Sequence, residues 1–481
     1  MNNYKNIKFK AGIEVHQQLE TNNLFCSCPS LVNDNNEVSN EIKRKLRAVA
    51  GELGEVDIAT LHEIKKGREF SYQAKETSSC LVELDEEPPH EINKEALDTA
   101  LEISLLFKAN IIDELHVMRK IVIDGSNVSG FQRTMLIATD GYINTSKGKV
   151  NIPTIYLEEE AAKKINEDEN NVNYSLDRLG IPLIEIDTDA SIKDPEHAKE
   201  VSSIIGMILR STEKVKRGIG SIRQDVNLSI LDKERIEIKG FQDLRYMPKV
   251  IDGEILRLSK LKKIKSEVRR ANVDGSTTFL RPLPGSARLY PETDVAPIKI
   301  TRERLAIIKL PELIVERALE IEKNYDISPE QAHGIVSGAN LITGGIRYDK
   351  LFLDVAPKIK KEYSGFLAET ILSIPKELRR KHKIEYKFSD KLFRDVFEAF
   401  NLGKISKNSI FEIFLNDSKG KKVNLNDYKI IDDKELMKEI EKIVKEKKDL
   451  GFNAIMGLVM GKYKGKVDGK KASEIIEKIM K

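Results

Sequence analysis

Four short stretches of this chain alternate apolar and polar residues with a period of two, and that pattern constrains the fold more than any other feature of the sequence. Successive side chains of a strand point to opposite faces. In GIEVHQQLE, Ile13, Val15 and Gln17 therefore oppose Glu14, His16 and Gln18. In GIPLIEIDTDA, Leu183, Glu185 and Asp187 oppose Ile184 and Ile186, which sets an acid in the middle of an apolar strand. SIRQDVNLSI sets Ser221, Arg223, Asp225, Asn227 and Ser229 against Ile222, Gln224, Val226, Leu228 and Ile230. ERIEIKG pairs with it as a hairpin and sets Arg235, Glu237 and Lys239 against Ile236 and Ile238. A solvated sheet face explains any one of these strands, but such faces use Lys, Glu and Thr. A recurring mixture of Glu, His, Arg, Asp and Asn predicts a sheet with one packed face and one face equipped for chemistry.

IPTIYLEEEAAKK adds Tyr156 and Glu158 on one side of a further short strand, followed by a predicted helix carrying Lys163 and Lys164. Brought together, Glu14, His16, Glu158 and Glu185 make an oxygen-rich cation site with one nitrogen, suited to Mg²⁺ and open to Mn²⁺. Arg223 and Lys239 are placed to neutralise phosphate oxygens, and Asp225 and Asn227 to bind a second metal or orient a substrate. Gly125, Ser126, Ser129 and Gly130 form a polar loop whose amides can approach an anion, with Arg133 nearby. Such a mixture suits phosphoryl transfer, where positioning and charge stabilisation carry the catalysis. The chain has no GxxxxGK[ST] loop, kinase motif set or GxSxG, and no context for a glutaminase nucleophile. Cys26 and Cys28 make half a zinc knuckle, while the one remaining thiol, Cys80, lies far downstream without a CxxC partner; the Cys26 turn reads as structural, with no Zn²⁺ expected. CLVELDEEPPH reads as an apolar strand running into an acidic turn.

At 481 residues the chain is too long for one core. With 80 basic against 77 acidic residues, any nucleic-acid surface must be local. Three cysteines, an N-terminus without an apolar signal core and no transmembrane run predict a soluble cytoplasmic protein. Helices are expected for EIKRKLRAVAGELGEVD, for INKEALDTALEISLLFK, for PEHAKEVSSIIGMILRST and, as one basic helix, from Phe241 to Asn272. A winding Pro/Gly connection follows, with Arg281, Arg288, Glu292 and Asp294 available to close the site. Beyond Ile300 the composition turns to Lys-rich amphipathic helices. The expected architecture is α+β: a mixed-sheet cradle over 1–300, a helical domain over 301–388 and a small helical C-terminal tail domain over 389–481. The tail's Lys/Gly loop suits a phosphate backbone.

The motifs GIEVHQQLET, LFCSCPS, LRAVAGELGEVD, CLVELDEEPPH, DGSNVSGFQRT, YLEEEAAKK, GIPLIEIDT, GSIRQDVNLSI, EIKGFQ, LRPLPGSARLYPETD and MGLVMGKYKGKVDGK span nearly the whole sequence. In them the chain closely resembles the E-type family of archaeal tRNA-dependent amidotransferase chains, relatives of the bacterial and organellar B type. The resemblance implies a ligase in which ATP phosphorylates the side chain of glutamate esterified to the tRNA for glutamine, and ammonia then displaces phosphate to give Gln-tRNA. It implies ATP and Mg²⁺ as cofactors, with the metal on His16, Glu158 and Glu185. Glu14, Arg223, Asp225, Asn227 and Lys239 lie in family motifs as catalytic candidates, and Ser129, Gly130 and Arg133 as cofactor-binding ones. The implied partners are Glu-tRNA(Gln) and an asparaginase-like D subunit, two of each chain, with the helical domains gripping the tRNA. A B-type subunit acting also on Asp-tRNA(Asn), and a catalytically silent tRNA-binding scaffold, are the alternatives. One departure stands out: only the run from 241 to 272 joins EIKGFQ to the DGSTT segment, where the family carries an insertion resembling one in bacterial aspartyl-tRNA synthetases.

Overall fold

The structure, a computed structural model, describes residues 4–32, 38–45, 58–283, 289–337, 347–447, 450–463, 466–467 and 469–480. It divides into two compact units, Met1–Leu313 and Ile314–Lys481. Among the described residues no helix is long and apolar enough to cross a membrane.

The first unit is built on one large sheet. Its main strands, in chain order, are β1 (Lys10–Gln18), β2 (Met118–Ile121), β3 (Phe131–Thr145), β4 (Gly148–Glu159), β5 (Pro182–Asp187), β6 (Ile222–Ser229), β7 (Ile236–Phe241), β8 (Glu267–Ala271), β9 (Thr277–Pro282) and β10 (Leu289–Pro291). In space they run β9-β8-β7-β6-β1-β5-β4-β3-β2-β10, so the opening strand lies at the centre. All pairs on this path are antiparallel except β7 with β8. Gly12 lets β1 run close against its neighbour, since a Cβ there would stand 3.0 Å from the Thr188 carbonyl oxygen and 3.2 Å from that of Asp189.

The period-two pattern does what it predicts. Ile13, Val15, Ile184, Ile186, Val226, Leu228, Ile236 and Ile238 all turn to one core. Against that face pack α1 (Lys94–Leu106), α2 (Pro195–Ser211) and α3 (Met247–Lys260), through Leu97 and Leu101, Val201 and Ile205, and Val250 and Ile251. The sequence marks two of these helix starts: Asn93 caps α1 by accepting from the amides of Glu95 and Ala96, and Asp194 caps α2 with Pro195 in its first turn. A second, four-stranded sheet, from Asn40–Lys45, Glu69–Ala74, Asn171–Ser175 and Lys163–Glu167, encloses its own core with Phe70, Tyr72 and Tyr174.

Several local expectations are corrected. Lys163 and Lys164 sit on a strand, because Lys163–Glu167 hydrogen-bonds to Asn171–Ser175 as a hairpin. Asn40–Lys45 is likewise a strand, paired with Glu69–Ala74, where a helix was expected; the rest of that run, 46–57, lies outside the described residues. CLVELDEEPPH forms turns, with Asp85 at φ 59°. The single basic helix from Phe241 to Asn272 is instead the end of β7, α3 and then β8, since Leu261 leaves helical dihedrals and Glu267–Ala271 finds an open sheet edge at β7.

The second unit is helical. Tyr386, Phe388, Phe393, Phe397 and Phe414 make an aromatic cluster around the helices Asp390–Asn401 and Lys407–Ser418. Its last three helices, Asp433–Glu446, Phe452–Lys462 and Gly469–Met480, close on a separate core of Leu436, Ile440, Ile455, Val459 and Ile476.

Candidate active site

The sheet face away from the helices carries the chemistry, and strand register decides which groups meet. Glu14 on β1 lies between Asp187 of β5 and Asp225 of β6, and His16 lies between Glu185 and Arg223. His16 Nε2 is 3.1 Å from Glu185 Oε2, 3.3 Å from Glu14 Oε1 and 3.8 Å from Glu158 Oε1. Lys120, from β2, donates to Glu158 Oε2 at 2.7 Å and to Glu185 Oε2 at 3.2 Å. Thr134 Oγ1 donates to the same Glu158 oxygen at 3.1 Å. Glu14, His16, Glu158 and Glu185, far apart in sequence, thus share one place.

Beside this cluster, Lys239 Nζ donates to Asp225 Oδ2 at 2.9 Å, and the Gly240 amide to Asp225 Oδ1 at 3.1 Å. Arg223 Nη2 donates to the buried Glu160 at 2.8 Å, and Gln18 Nε2 to that carboxylate at 3.2 Å. Asn227 lies on the same face of β6, opposite Gly12. Ser129 and Arg133 are not brought to this face. Thr134 faces Glu158, so its neighbour Arg133 points through the opposite side of β3, where its Nε donates to Glu292 at 2.9 Å and its Nη1 to Glu159 at 3.3 Å. Ser129 and Arg133 line a small cavity there, with Asn127, Glu83 and Glu159. Glu292 is buried between Arg119 and Arg133 and so holds the short β10 edge to β2, and Asp294 lies 3.5 Å from Arg119. Arg281 pairs in register with Val268 as part of β9, and Arg288 lies outside the described residues.

Charge in the cluster is strongly redistributed. Burial pushes Glu14 up, against the pull of His16, to about 8. Burial works against a charged His16, but the hydrogen bond and charge of Glu185, with Glu14 and Glu158, outweigh it and raise the imidazole to about 9. Burial would also raise Glu185, yet Lys120 and His16 hold it well below the usual carboxylate range. Burial, together with the charge of Glu185, raises Glu158 despite Lys120. Asp187, buried beside Glu185, is raised to about 6. The arrangement is one of anions held close together by protons and ammonium groups, in a place where a divalent cation would replace them. The donor set fits such an ion: Glu14, His16 and Glu185 offer ligand atoms within 4.8 Å of one another, with Lys120 already standing as a cation between Glu158 and Glu185.

The sequence reading missed Lys120, Thr134, Glu160 and Asp187. Asp187 carried a signal, since it shares the face of Glu185; Lys120 carried none, being one of many lysines on a strand of four residues. A second donor group lies elsewhere in the first unit. Cys26, Cys28, Cys80 and Glu83 bring ligand atoms within 4.8 Å of one another, so the downstream Cys80 does reach the Cys26 turn and Glu83 stands as a fourth donor. Three thiolates and a carboxylate make a set that Zn²⁺ accepts. Without an ion, Glu83 accepts from Cys26 Sγ at 2.9 Å, the Cys80 amide at 2.8 Å and Asn23 Nδ2 at 3.0 Å. Burial and the Glu83 charge push the Cys28 thiol up to about 12.

A mixed sheet whose solvent face gathers acids, an imidazole and ammonium groups defines a catalytic cradle, and the model of the GatB/GatE catalytic domain matches residues 9–306; the chain belongs to that family. Along its whole length it is similar to archaeal proteins named as the E chain (GatE) of glutamyl-tRNA(Gln) amidotransferase. That of Methanocaldococcus jannaschii is 35% identical, covering 100% of this chain and 99% of the relative. Those of Methanosarcina acetivorans, 34% identical over 99% and 98%, and Saccharolobus solfataricus, 33% over 100% and 99%, are alike. The first of these alignments spans 634 positions against 481 residues here, so the relative carries segments without a counterpart in this chain.

Proposed function

We propose that this chain is the synthetic subunit of a tRNA-dependent amidotransferase, a ligase that converts Glu-tRNA(Gln) to Gln-tRNA(Gln). The glutamyl side-chain carboxylate attacks the γ-phosphorus of ATP, ADP leaves, and ammonia from a partner subunit then attacks the acyl phosphate. The new C–N bond forms as the C–O bond to phosphate breaks. The observation that carries this reading is the single sheet face joining Glu14, His16, Glu158, Glu185 and Lys120, in a chain that matches its GatE relatives from end to end.

Glu14, His16, Glu158 and Glu185 are the groups that would hold Mg²⁺, which supplies charge neutralisation at the triphosphate. Lys120 and Lys239 supply fixed positive charge beside it, and Arg223 adds its own once Glu160 shares it with phosphate oxygen. The proton that the attacking ammonia loses leaves with the phosphate, so the step balances without a further base. Asp225 and Asn227 line the same face and orient the substrate. Ser129 and Arg133 line a small cavity beside Glu159, and in this reading they support the cradle while ATP lies on the reactive face. An asparaginase-like D subunit supplies ammonia, in an assembly of two D and two E chains. The helical domain and the C-terminal tail grip the tRNA, in the cytoplasm where aminoacyl-tRNA is made.

The test is reconstitution with a D-type partner, ATP, an amide donor and Glu-tRNA(Gln). ATP hydrolysis should require Glu-tRNA, and γ-glutamyl phosphate should accumulate when the amide donor is withheld. Glu158→Gln and Glu185→Gln should each lower formation of that intermediate by roughly a hundredfold or more. Unimpaired amide formation by either variant would remove the metal assignment.

A further inference from the structure

The end of α3 and the turn into β8 read LRLSKLKKIKSE, and Lys260, Lys262, Lys263 and Lys265 are all exposed there. Lysines often gather at a helix C-terminus to satisfy its last carbonyls and complement its dipole. That task is already taken. Lys233, from the turn between β6 and β7, donates its Nζ to the carbonyls of Leu258 at 2.6 Å and Leu261 at 2.8 Å. Of the acids near them only Glu234 is free of a basic partner, and it makes no ion pair with the four. Glu254 and Glu267 are held by Arg257 and Arg269, and Glu234 accepts from Ser266 Oγ at 2.9 Å. Among the described residues none of the four lysines has an ion pair or side-chain hydrogen bond, and the same is true of exposed Arg235.

Register brings Arg235 to the same corner. Strands β7 and β8 run parallel, with Ile236 beside Glu267, so the residues just before each strand are neighbours. The corner therefore presents five cations against the exposed carboxylate of Glu234, on a chain whose net charge is only +3. It also lies close to the reactive face. Lys239, on Asp225, is three residues along β7 from Ile236, about 10 Å at the rise of a strand.

We propose that this corner, Arg235 with Lys260, Lys262, Lys263 and Lys265, is a docking surface for the phosphodiester backbone of the tRNA whose aminoacyl end enters the cradle. The inference rests on the reading that the chain acts on aminoacyl-tRNA, and adds where in the catalytic unit that polyanion is held. Closely spaced lysines without acid partners release counterions from a phosphate backbone as point charges, without base readout. Docking here would orient the acceptor arm relative to Lys239.

The test measures tRNA binding first, with co-purification of the amidase partner and Gln-tRNA formation as its controls. The full chain is titrated with unacylated tRNA by fluorescence anisotropy at several KCl concentrations, as wild type and as the K260Q/K262Q/K263Q/K265Q variant. The variant should bind roughly tenfold or more weakly at moderate salt, and its plot of log affinity against log salt should flatten by about three, at ~0.7–0.9 for each of the phosphates left without its lysine. The quadruple Lys→Arg variant should keep both slope and affinity. Parallel plots of equal affinity for wild type and Gln variant would overturn the proposal. So would unchanged tRNA binding with loss of the co-purifying amidase partner, which would make the corner a protein-docking face. A wild-type complex that binds tRNA with this salt dependence yet makes no Gln-tRNA would instead sink the proposed function and leave the docking surface standing.

Discussion

Glu14 and His16 hold protons that they would give up in an unfolded chain, and this sets a sign for the pH dependence of stability. His16 rises from 6.5 to about 9 and Glu14 from 4.5 to about 8, so each binds its proton more tightly when folded. Each contribution is complete below the unfolded value and fades as pH climbs through the folded one. In EDTA the midpoint of thermal unfolding should therefore fall as pH rises from about 6.5 to about 9, and fall less in His16→Gln. Mg²⁺ bound as proposed would displace those protons, so the gain in Tm on adding it should be larger near pH 8.5 than near pH 6.5. Glu83 offers a second prediction at this scale. Four donors converge on a carboxylate that is 4% exposed, and Glu83→Ala would take that acceptor from all of them. The cost should be about 3 kcal/mol, read from urea unfolding.

Strands were legible where their own residues alternate. β1, β5, β6 and β7 follow from period two, because one face of each meets the helix-covered core and the other carries polar and charged side chains. Elements set by a distant partner were not. Asn40–Lys45, Lys163–Glu167 and Glu267–Ala271 are polar or mixed segments that become strands because an open edge accepts their backbone hydrogen bonds. Nothing local distinguishes them from charged helix. The hairpin of β8 and β9 also depends on close packing against α3, where a Cβ on Gly253 would stand 2.3 Å from the Gly275 carbonyl oxygen. Gly253→Ala should push helix and hairpin apart and destabilise the chain by about 2 kcal/mol, seen as a lower urea midpoint.

At the scale of the whole molecule, the site belongs to one unit. Every member of the acid and ammonium cluster lies within Met1–Leu313, which has its own core and its own sheet. A truncated chain ending at Leu313 should unfold in one cooperative transition and retain ATP binding by equilibrium dialysis. Its affinity for tRNA should fall, since the basic helices of Ile314–Lys481 are gone. Loss of ATP binding in a folded truncation would show that the cradle does not hold the nucleotide by itself.

The sequence alone determined the α+β class, the central strands and which of their faces carries chemistry, because a strand's alternation is written in adjacent residues. Only the tertiary structure decided which of those faces meet. The registers of β1 against β5 and β6 set His16 beside Glu185 and Glu14 beside Asp225, and sheet order brings Lys120 from β2 to Glu158. The same pairing turned Arg133 away from the reactive face. These encounters join residues tens to hundreds of positions apart, and hydrogen bonds between strands create them; no local pattern can encode them.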